Sequence, residues 1–260
     1  MEQRFMSPTV SNNEIRFVKS LERKKARDEH GMFVAEGAKM VEEAERSSFE
    51  VVKCFKAEEI GMNLMERMSL LASPSPALAV IRKPGNLEIA DIESFPLPEK
   101  GLFLAMDGIR DPGNLGTILR IADWFGIDAV FASPDTVDVF NPKVVQATMG
   151  AIFRVRFHYT DIALLCKSVI SSGGNAYGTF LDGEDIYSKD LCIGDNGRSL
   201  VVIGNEANGI SREVEESLSD RLFIPPYPPD ERGSESLNAA VATAITIAEF
   251  RRRTIQITEK

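Results

Sequence analysis

The segment that decides the fold begins Leu102-Phe103-Leu104-Ala105-Met106 and continues Asp107-Gly108-Ile109-Arg110-Asp111-Pro112-Gly113-Asn114-Leu115-Gly116-Thr117-Ile118-Leu119-Arg120. An unbroken apolar run suits a strand covered on both faces, as in a parallel sheet. Asp-Pro-Gly-Asn is then turn chemistry. After it, Leu115, Ile118, Leu119, Ala122 and Trp124 fall at helical spacing. Strand, polar loop and helix make one unit of an α/β fold.

The pattern repeats downstream. Strands are expected at 128–132, 175–180, 200–204 and 222–225, and a last helix near Ser236 carries Leu237, Ala240, Val241, Ala244, Ile245 and Ala248. Such alternation predicts a mostly parallel sheet flanked by helices.

Upstream, residues 1–94 read as a small α/β domain. Asn12 and Asn13 are candidate caps for a helix to about Asp28 with Ile15, Val18 and Leu21 on one face. Strands are expected at 32–35, 51–55 and 77–81, with a second helix after Glu36-Gly37 and a Ser-Pro-Ser-Pro breaker at 73–76. Residues 95–101, with two prolines and a glycine, form the expected linker, so the larger domain spans 102–260.

Composition narrows the chemistry. With three cysteines, no Cys-x-x-Cys pair and two histidines, metal chemistry and a histidine-based triad are not expected. The net charge of −9 argues against a protein that simply coats nucleic acid. Arg16, Lys19, Arg23, Lys24, Lys25 and Arg27 nevertheless form a local basic run, interrupted only by Glu22. It reads either as a solvated helix face or as an RNA contact. The polar start at residues 1–5 and the absence of a long apolar run predict a cytoplasmic protein with no membrane contact.

Three expected strand ends carry unusual polar loops: 107–120, then Ile203-Gly204-Asn205-Glu206-Ala207-Asn208-Gly209-Ile210-Ser211, then Ile224-Pro225 followed by Gly233-Ser234-Glu235-Ser236-Leu237-Asn238. Each alone has an ordinary explanation, and Ser236 could simply cap the last helix. Together they place Asn114 and Arg120, then Glu206, then Ser236 and Asn238 at strand carboxyl ends, where open parallel sheets bind ligands. Asn114 and Arg120 are six residues apart and do not share a helix face. Arg120 lies amid apolar neighbours, which suggests a side chain that meets an anion or a reacting group. A doubly wound nucleotide-binding enzyme would carry Gly-x-Gly-x-x-Gly after its first strand, and residues 107–112 lack it.

These segments resemble the three signature motifs of the SpoU family of RNA ribose 2′-O-methyltransferases, within the SPOUT superfamily. They match as Asp-x-x-x-Asp-Pro-x-Asn-x-Gly-x-x-x-Arg, Gly-Asn-Glu-x-x-Gly-Ile-Ser, and Ile-Pro with Glu-Ser-Leu-Asn. Asn141 to Val145 and Gly150 to Val155 fit the same family, and residues 12–45 resemble its N-terminal RNA-binding extension. The resemblance implies a deep trefoil knot, a homodimer, and S-adenosylmethionine bound through the backbone of Gly204, Ile224 and Leu237, with Thr179 a weaker candidate. It implies that Arg120 acts at the ribose hydroxyl, as base or by fixing the adjacent phosphate, and that Asn114, Glu206, Ser236 and Asn238 complete the site. No metal is implied.

Methyl transfer from a sulfonium chiefly requires positioning and removal of one proton. Arginine is normally locked in its protonated form, so Arg120 needs help to act as a base. Ribosomal RNA is favoured over transfer RNA as substrate, and a non-catalytic RNA-binding factor is the alternative of another class. One departure is the longer stretch Pro226 to Arg232. It reads as a surface bulge, with RNA contact through Tyr227 and Arg232 the other possibility.

Overall fold

The computed structural model describes residues 10–85, 87–92, 94–191, 197–228 and 235–258. Packing divides the chain into two compact units, Met1–Gly85 with Asp138–Arg154, and Asn86–Val137 with Val155–Lys260. Of residues 86–94, grouped with the N-terminal part on sequence grounds, the described ones, 87–92 and 94, pack in the second unit.

The first unit is built on an antiparallel sheet of β1 (Met32–Glu36), β2 (Val51–Lys56) and β3 (Ala77–Arg82), in the order β1-β3-β2. The helix expected to run from Asn12 to Asp28 is two helices, α1 (Asn12–Ser20) and α2 (Lys24–His30). Its cap is Ser11, not an asparagine: the Ser11 hydroxyl accepts from the Glu14 N–H, and the Glu14 carboxylate accepts from the Ser11 N–H. Ile15, Val18 and Leu21 are buried as expected, in a core with Val34, Phe55, Met65, Met68, Leu78 and Val80. The break after Leu21 exposes two backbone carbonyls, and the Arg27 guanidinium takes both, donating to Leu21 O at 2.9 Å and Glu22 O at 2.6 Å. Helices α3 (Ala38–Arg46), α4 (Ala57–Ile60) and α5 (Met62–Met68) complete the N-terminal part of this unit.

The segment Asp138–Arg154 joins the same unit. It carries a helix at Pro142–Thr148, capped by Asn141, and a 3-10 turn at Ala151–Phe153. Phe140 packs on Phe33 with ring centroids 4.4 Å apart, and Phe153 meets Phe49 edge-on at 5.4 Å. Burying each such ring contributes about 1.5–3 kcal/mol.

The second unit is a seven-stranded sheet whose paired strands all run parallel. Its strands are β4 (Gly101–Asp107), β5 (Ala129–Ala132), β6 (Phe157–Tyr159), β7 (Asn175–Phe180), β8 (Glu184–Asp185), β9 (Arg198–Gly204) and β10 (Asp220–Phe223). They lie in the order β6-β5-β4-β9-β7-β10-β8. Residues 102–107 of β4 are all buried, as the apolar run requires. Numbering the helix at Pro142–Thr148 α7, the flanking helices here are α6 (Pro112–Trp124), α8 (Ile162–Ser171), α9 (Arg212–Glu215) and α10 (Ala239–Thr258). Leu115, Ile118, Leu119 and Ala122 form the buried face of α6. Trp124 does not join them: it is 85% exposed, because the last residue of α6 has turned off the core side.

Strand β10 is inserted between β7 and β8, which are joined by residues 181–183 alone. Strands two places apart are separated by roughly 9.6 Å, which the short link can just span across one face of β10.

Cys54 and Cys166 are free, and burial pushes the Cys166 thiol up to about 12. Cys192 lies outside the described residues. No described helix is long and apolar enough to cross a membrane.

Candidate active site

The β4–β9 ladder sets Asp107 opposite Gly204, so the first two polar loops leave the sheet side by side. A Cβ on Gly204 would sit 2.3 Å from the Gly209 carbonyl carbon and the Ile210 nitrogen, so the turn that follows admits only glycine there. The turn closes through paired backbone bonds between Asn205 and Gly209, each 2.9 Å. The Asn205 side chain then serves both loops. Its Nδ2 donates to Gly108 O at 2.6 Å, and its Oδ1 accepts from the N–H groups of Ala207 and Asn208. Asp107, nearly buried, accepts from the Ser211 N–H at 2.6 Å, and the Gly108 N–H donates to the Ser133 hydroxyl at 2.8 Å.

Helix α6 starts inside the first loop. Asp111 caps it by accepting from the Asn114 N–H at 2.8 Å, and Pro112 occupies the first turn. Capping leaves the Asn114 side chain free to turn outward. Its Nδ2 donates to Glu206 Oε1 at 3.0 Å, and its Oδ1 accepts from Asn238 Nδ2 at 2.9 Å. The Asn238 Oδ1 in turn accepts from the Ala240 and Val241 N–H groups at the start of α10. The last helix is therefore capped by Asn238 rather than Ser236.

Glu206 also accepts from the backbone N–H groups of Arg110 at 3.2 Å and Asp111 at 3.1 Å. Partial burial opposes its charge, but the Asn114 amide and the N–H groups of Glu206 itself, Arg110 and Asp111 outweigh it. The carboxyl is held below the ordinary glutamate range. Three segments far apart in sequence thus converge as a line of side chains, Glu206–Asn114–Asn238.

Arg120 stands apart. Six residues beyond Asn114, it lies roughly 9 Å along the axis and on a different face of α6. It is exposed, and among the described residues it has no hydrogen bond or ion pair. In the chain alone the guanidinium faces solvent, free to meet an incoming anion.

A family model described as the SpoU rRNA Methylase family matches residues 101–248, and one described as an MRM3-like substrate binding domain matches residues 12–81. The chain belongs to the SpoU rRNA methylase family. It is 29% identical over 249 residues to the 23S rRNA (guanosine(2553)-2′-O)-methyltransferase RlmP of Bacillus subtilis strain 168, covering 94% of this chain and 98% of that one. A solved TrmH-family structure from Porphyromonas gingivalis superposes with TM-score 0.79 at 35% identity, covering 95% and 100% of the two chains. The AdoMet-bound rRNA methyltransferase from Sinorhizobium meliloti superposes with TM-score 0.81 at 25% identity, covering 94% and 96%.

The other expected site residues of this SpoU family member fall into two sets. Gly204, Thr179 and Ile224 lie at the carboxyl ends of β9, β7 and β10, half-buried, and the Thr179 hydroxyl donates to Val202 O at 3.4 Å. Ser236 and Leu237 are exposed and form no hydrogen bond among the described residues, so the backbone of Leu237 is open to a ligand.

In the first unit, Arg16, Arg23 and Lys25 are exposed and unpaired among the described residues. Lys19 is exposed and donates to Ser69 O, and Lys24 pairs with Asp28 at 2.6 Å. Arg27 must be removed from the RNA-binding set. It is 2% exposed, with four of its five N–H donors committed to the Leu21 and Glu22 carbonyls and to Asp138, so its burial keeps it from a phosphate.

Asp107, Asn205, Ser133, Asp135 and Arg110 escaped the sequence reading as site residues. Polar residues in turns read as turn chemistry, and only the sheet register reveals that they brace one loop.

Proposed function

We propose that this chain transfers the methyl group of S-adenosylmethionine to a ribose 2′-hydroxyl of ribosomal RNA. Support comes from the family, from relatives named as ribosomal RNA 2′-O-methyltransferases, and from the AdoMet-bound neighbour. The observation that carries it is the Glu206–Asn114–Asn238 line, which joins three loops at the carboxyl ends of β4, β9 and β10.

The residues present suit the methyl donor. A glycine that no side chain can replace and the open backbone of Leu237 suit recognition by backbone groups, with Gly204, Ile224, Leu237 and Thr179 as its holders. When bound, S-adenosylmethionine supplies an electrophilic methyl group on a sulfonium. The protein's share is to hold the acceptor oxygen in line and receive its proton. Asn114, braced from both sides, can fix the ribose; Ser236, two residues before Asn238, offers an exposed hydroxyl. Arg120, exposed and without a partner among the described residues, is suited to fixing the phosphate through which the hydroxyl proton leaves.

The reading extends to the parts the family implies. The deep trefoil knot is supported by β10 lying between strands joined by so short a link. The homodimer is supported by Trp124, 85% exposed on α6, and Val241, 47% exposed on α10. RNA binding by the N-terminal domain is supported by the match to a substrate-binding model and by Arg16, Arg23 and Lys25, with Lys19 and Lys24 less free. A cytoplasmic location is supported by the near full-length likeness to a ribosomal RNA methyltransferase of Bacillus subtilis.

The test is transfer of tritiated methyl to RNA from cells lacking the protein. Ribosomal RNA should acquire label resistant to alkaline hydrolysis as a dinucleotide, and Arg120→Ala should abolish it. Donor binding without label on any RNA overturns the reading in favour of a non-catalytic RNA-binding factor; label on transfer RNA alone corrects the substrate.

A further inference from the structure

Arg110 sits in the first loop, four residues before Asn114, and its backbone N–H is bound by Glu206. Its side chain is 70% exposed and, among the described residues, makes one ion pair, to Asp135 at 3.3 Å. Charge-assisted hydrogen bonds usually close to about 2.7–2.9 Å, and exposed pairs of this kind hold weakly. The two partners are not equally free. Asp135 Oδ1 accepts from the Ser133 hydroxyl at 2.6 Å, and that hydroxyl is itself tied to the Gly108 N–H. Asp135 is anchored, whereas the guanidinium of Arg110 is not.

The surroundings give this freedom a purpose. Asp107, Asp111, Asp135 and Glu206 place four carboxylates on or against the first loop, and the whole chain carries a net charge of −9. A ribose can reach Asn114 only with its flanking phosphates, and those meet this negative field. Among the described residues of the loop 107–111, Arg110 is the one cation. An arginine fork matches a phosphate at two oxygens, which a water-exposed contact to one carboxylate oxygen does not equal.

Resting on the proposed ribose methylation, we propose that Arg110 is a substrate-positioning residue that leaves Asp135 to grip a backbone phosphate of the RNA beside the target ribose. Asp135 competes with that phosphate and parks the guanidinium when no RNA is bound. Arg110 thereby sets RNA affinity without touching the methyl donor.

The experiment uses the full chain and unmodified ribosomal RNA transcribed in vitro, with binding and methyl transfer measured from about 50 to 300 mM salt. Arg110→Ala should raise both Kd and KM for RNA about tenfold and make the slope of log Kd against log salt shallower by about 0.7–0.9, one phosphate contact's worth. The kcat and the donor Kd should stay within about twofold, which a collapsed loop would not allow. Arg110→Lys should keep the slope while losing part of the affinity. Asp135→Asn, which keeps its Ser133 contact, should tighten RNA binding by about twofold or more. Unchanged Kd and slope in Arg110→Ala overturn the proposal, as does an Asp135→Asn shift in the same direction as Arg110→Ala. If the wild type methylates no transcript, the reaction assignment falls, while the binding slopes still decide for or against the phosphate contact.

Discussion

Asn114 and Asn238, 124 residues apart, meet amide to amide at 2.9 Å, and each has its second polar end already committed. Asn114 donates to Glu206, and Asn238 caps α10. The pair fixes the orientation of both amides, because reversing either would set donor against donor or oxygen against carboxylate. Asn114→Asp should therefore cost far more than its size suggests. The new carboxylate faces Glu206 Oε1, and methyl transfer at pH 7.5 should fall by about 10²–10³-fold. Label incorporation at saturating donor and RNA checks this, and a loss below tenfold would show that the amide line is not used.

Glu206 yields a prediction in pH. Its folded carboxyl is held below the ordinary value of 4.5. Its contribution is present above the unfolded value and is lost as pH falls through the folded one. The Tm difference between wild type and Glu206→Gln should be constant from pH 8 to about 5.5 and shrink below about 4.5. A difference that grows as pH falls would contradict the hydrogen bonds described.

Asn205→Asp tests the brace between the first two loops. The replaced Nδ2 faces Gly108 O at 2.6 Å, where a carboxylate is repelled but a protonated carboxyl can donate. The variant's Tm deficit should be largest at pH 8 and narrow as pH falls toward 5. A deficit independent of pH would mean that size, not the donated bond, matters at this position.

Arg27 separates fold from RNA binding. Breaking its pair with Asp138 leaves a nearly buried carboxylate, so Arg27→Met should cost about 3–5 kcal/mol, lowering Tm by roughly 6–20 °C. Adding Asp138→Asn should recover part of the loss. Arg23→Glu with Lys25→Glu should leave Tm nearly unchanged and weaken RNA binding. Filter binding and thermal melts on the same samples distinguish the two sets.

Trp124 tests the proposed homodimer. Wild type should sediment as a dimer at micromolar concentration, and Trp124→Glu should shift it toward monomer with an unchanged circular dichroism spectrum. A wild-type monomer would remove the dimer from the proposal.

Much of this protein was legible in its residues. The apolar run 102–106, the Asp-Pro-Gly-Asn turn and the helical spacing after it specify strand, loop and helix locally, because backbone preference and burial pattern act over a few residues. The same local reading located Asn114, Glu206 and Asn238 at strand ends. Only the tertiary structure decided which side chains meet. Arg27 belongs to the basic run by sequence, yet it is sealed against Asp138, 111 residues away. Trp124 keeps helical spacing but falls on solvent, Asn238 caps the helix that Ser236 could have capped, and β10 enters between β7 and β8. Pattern reports whether a residue tends to be covered. The partner that covers it depends on how strands are ordered and in what register, and that is settled by the packing of the whole chain.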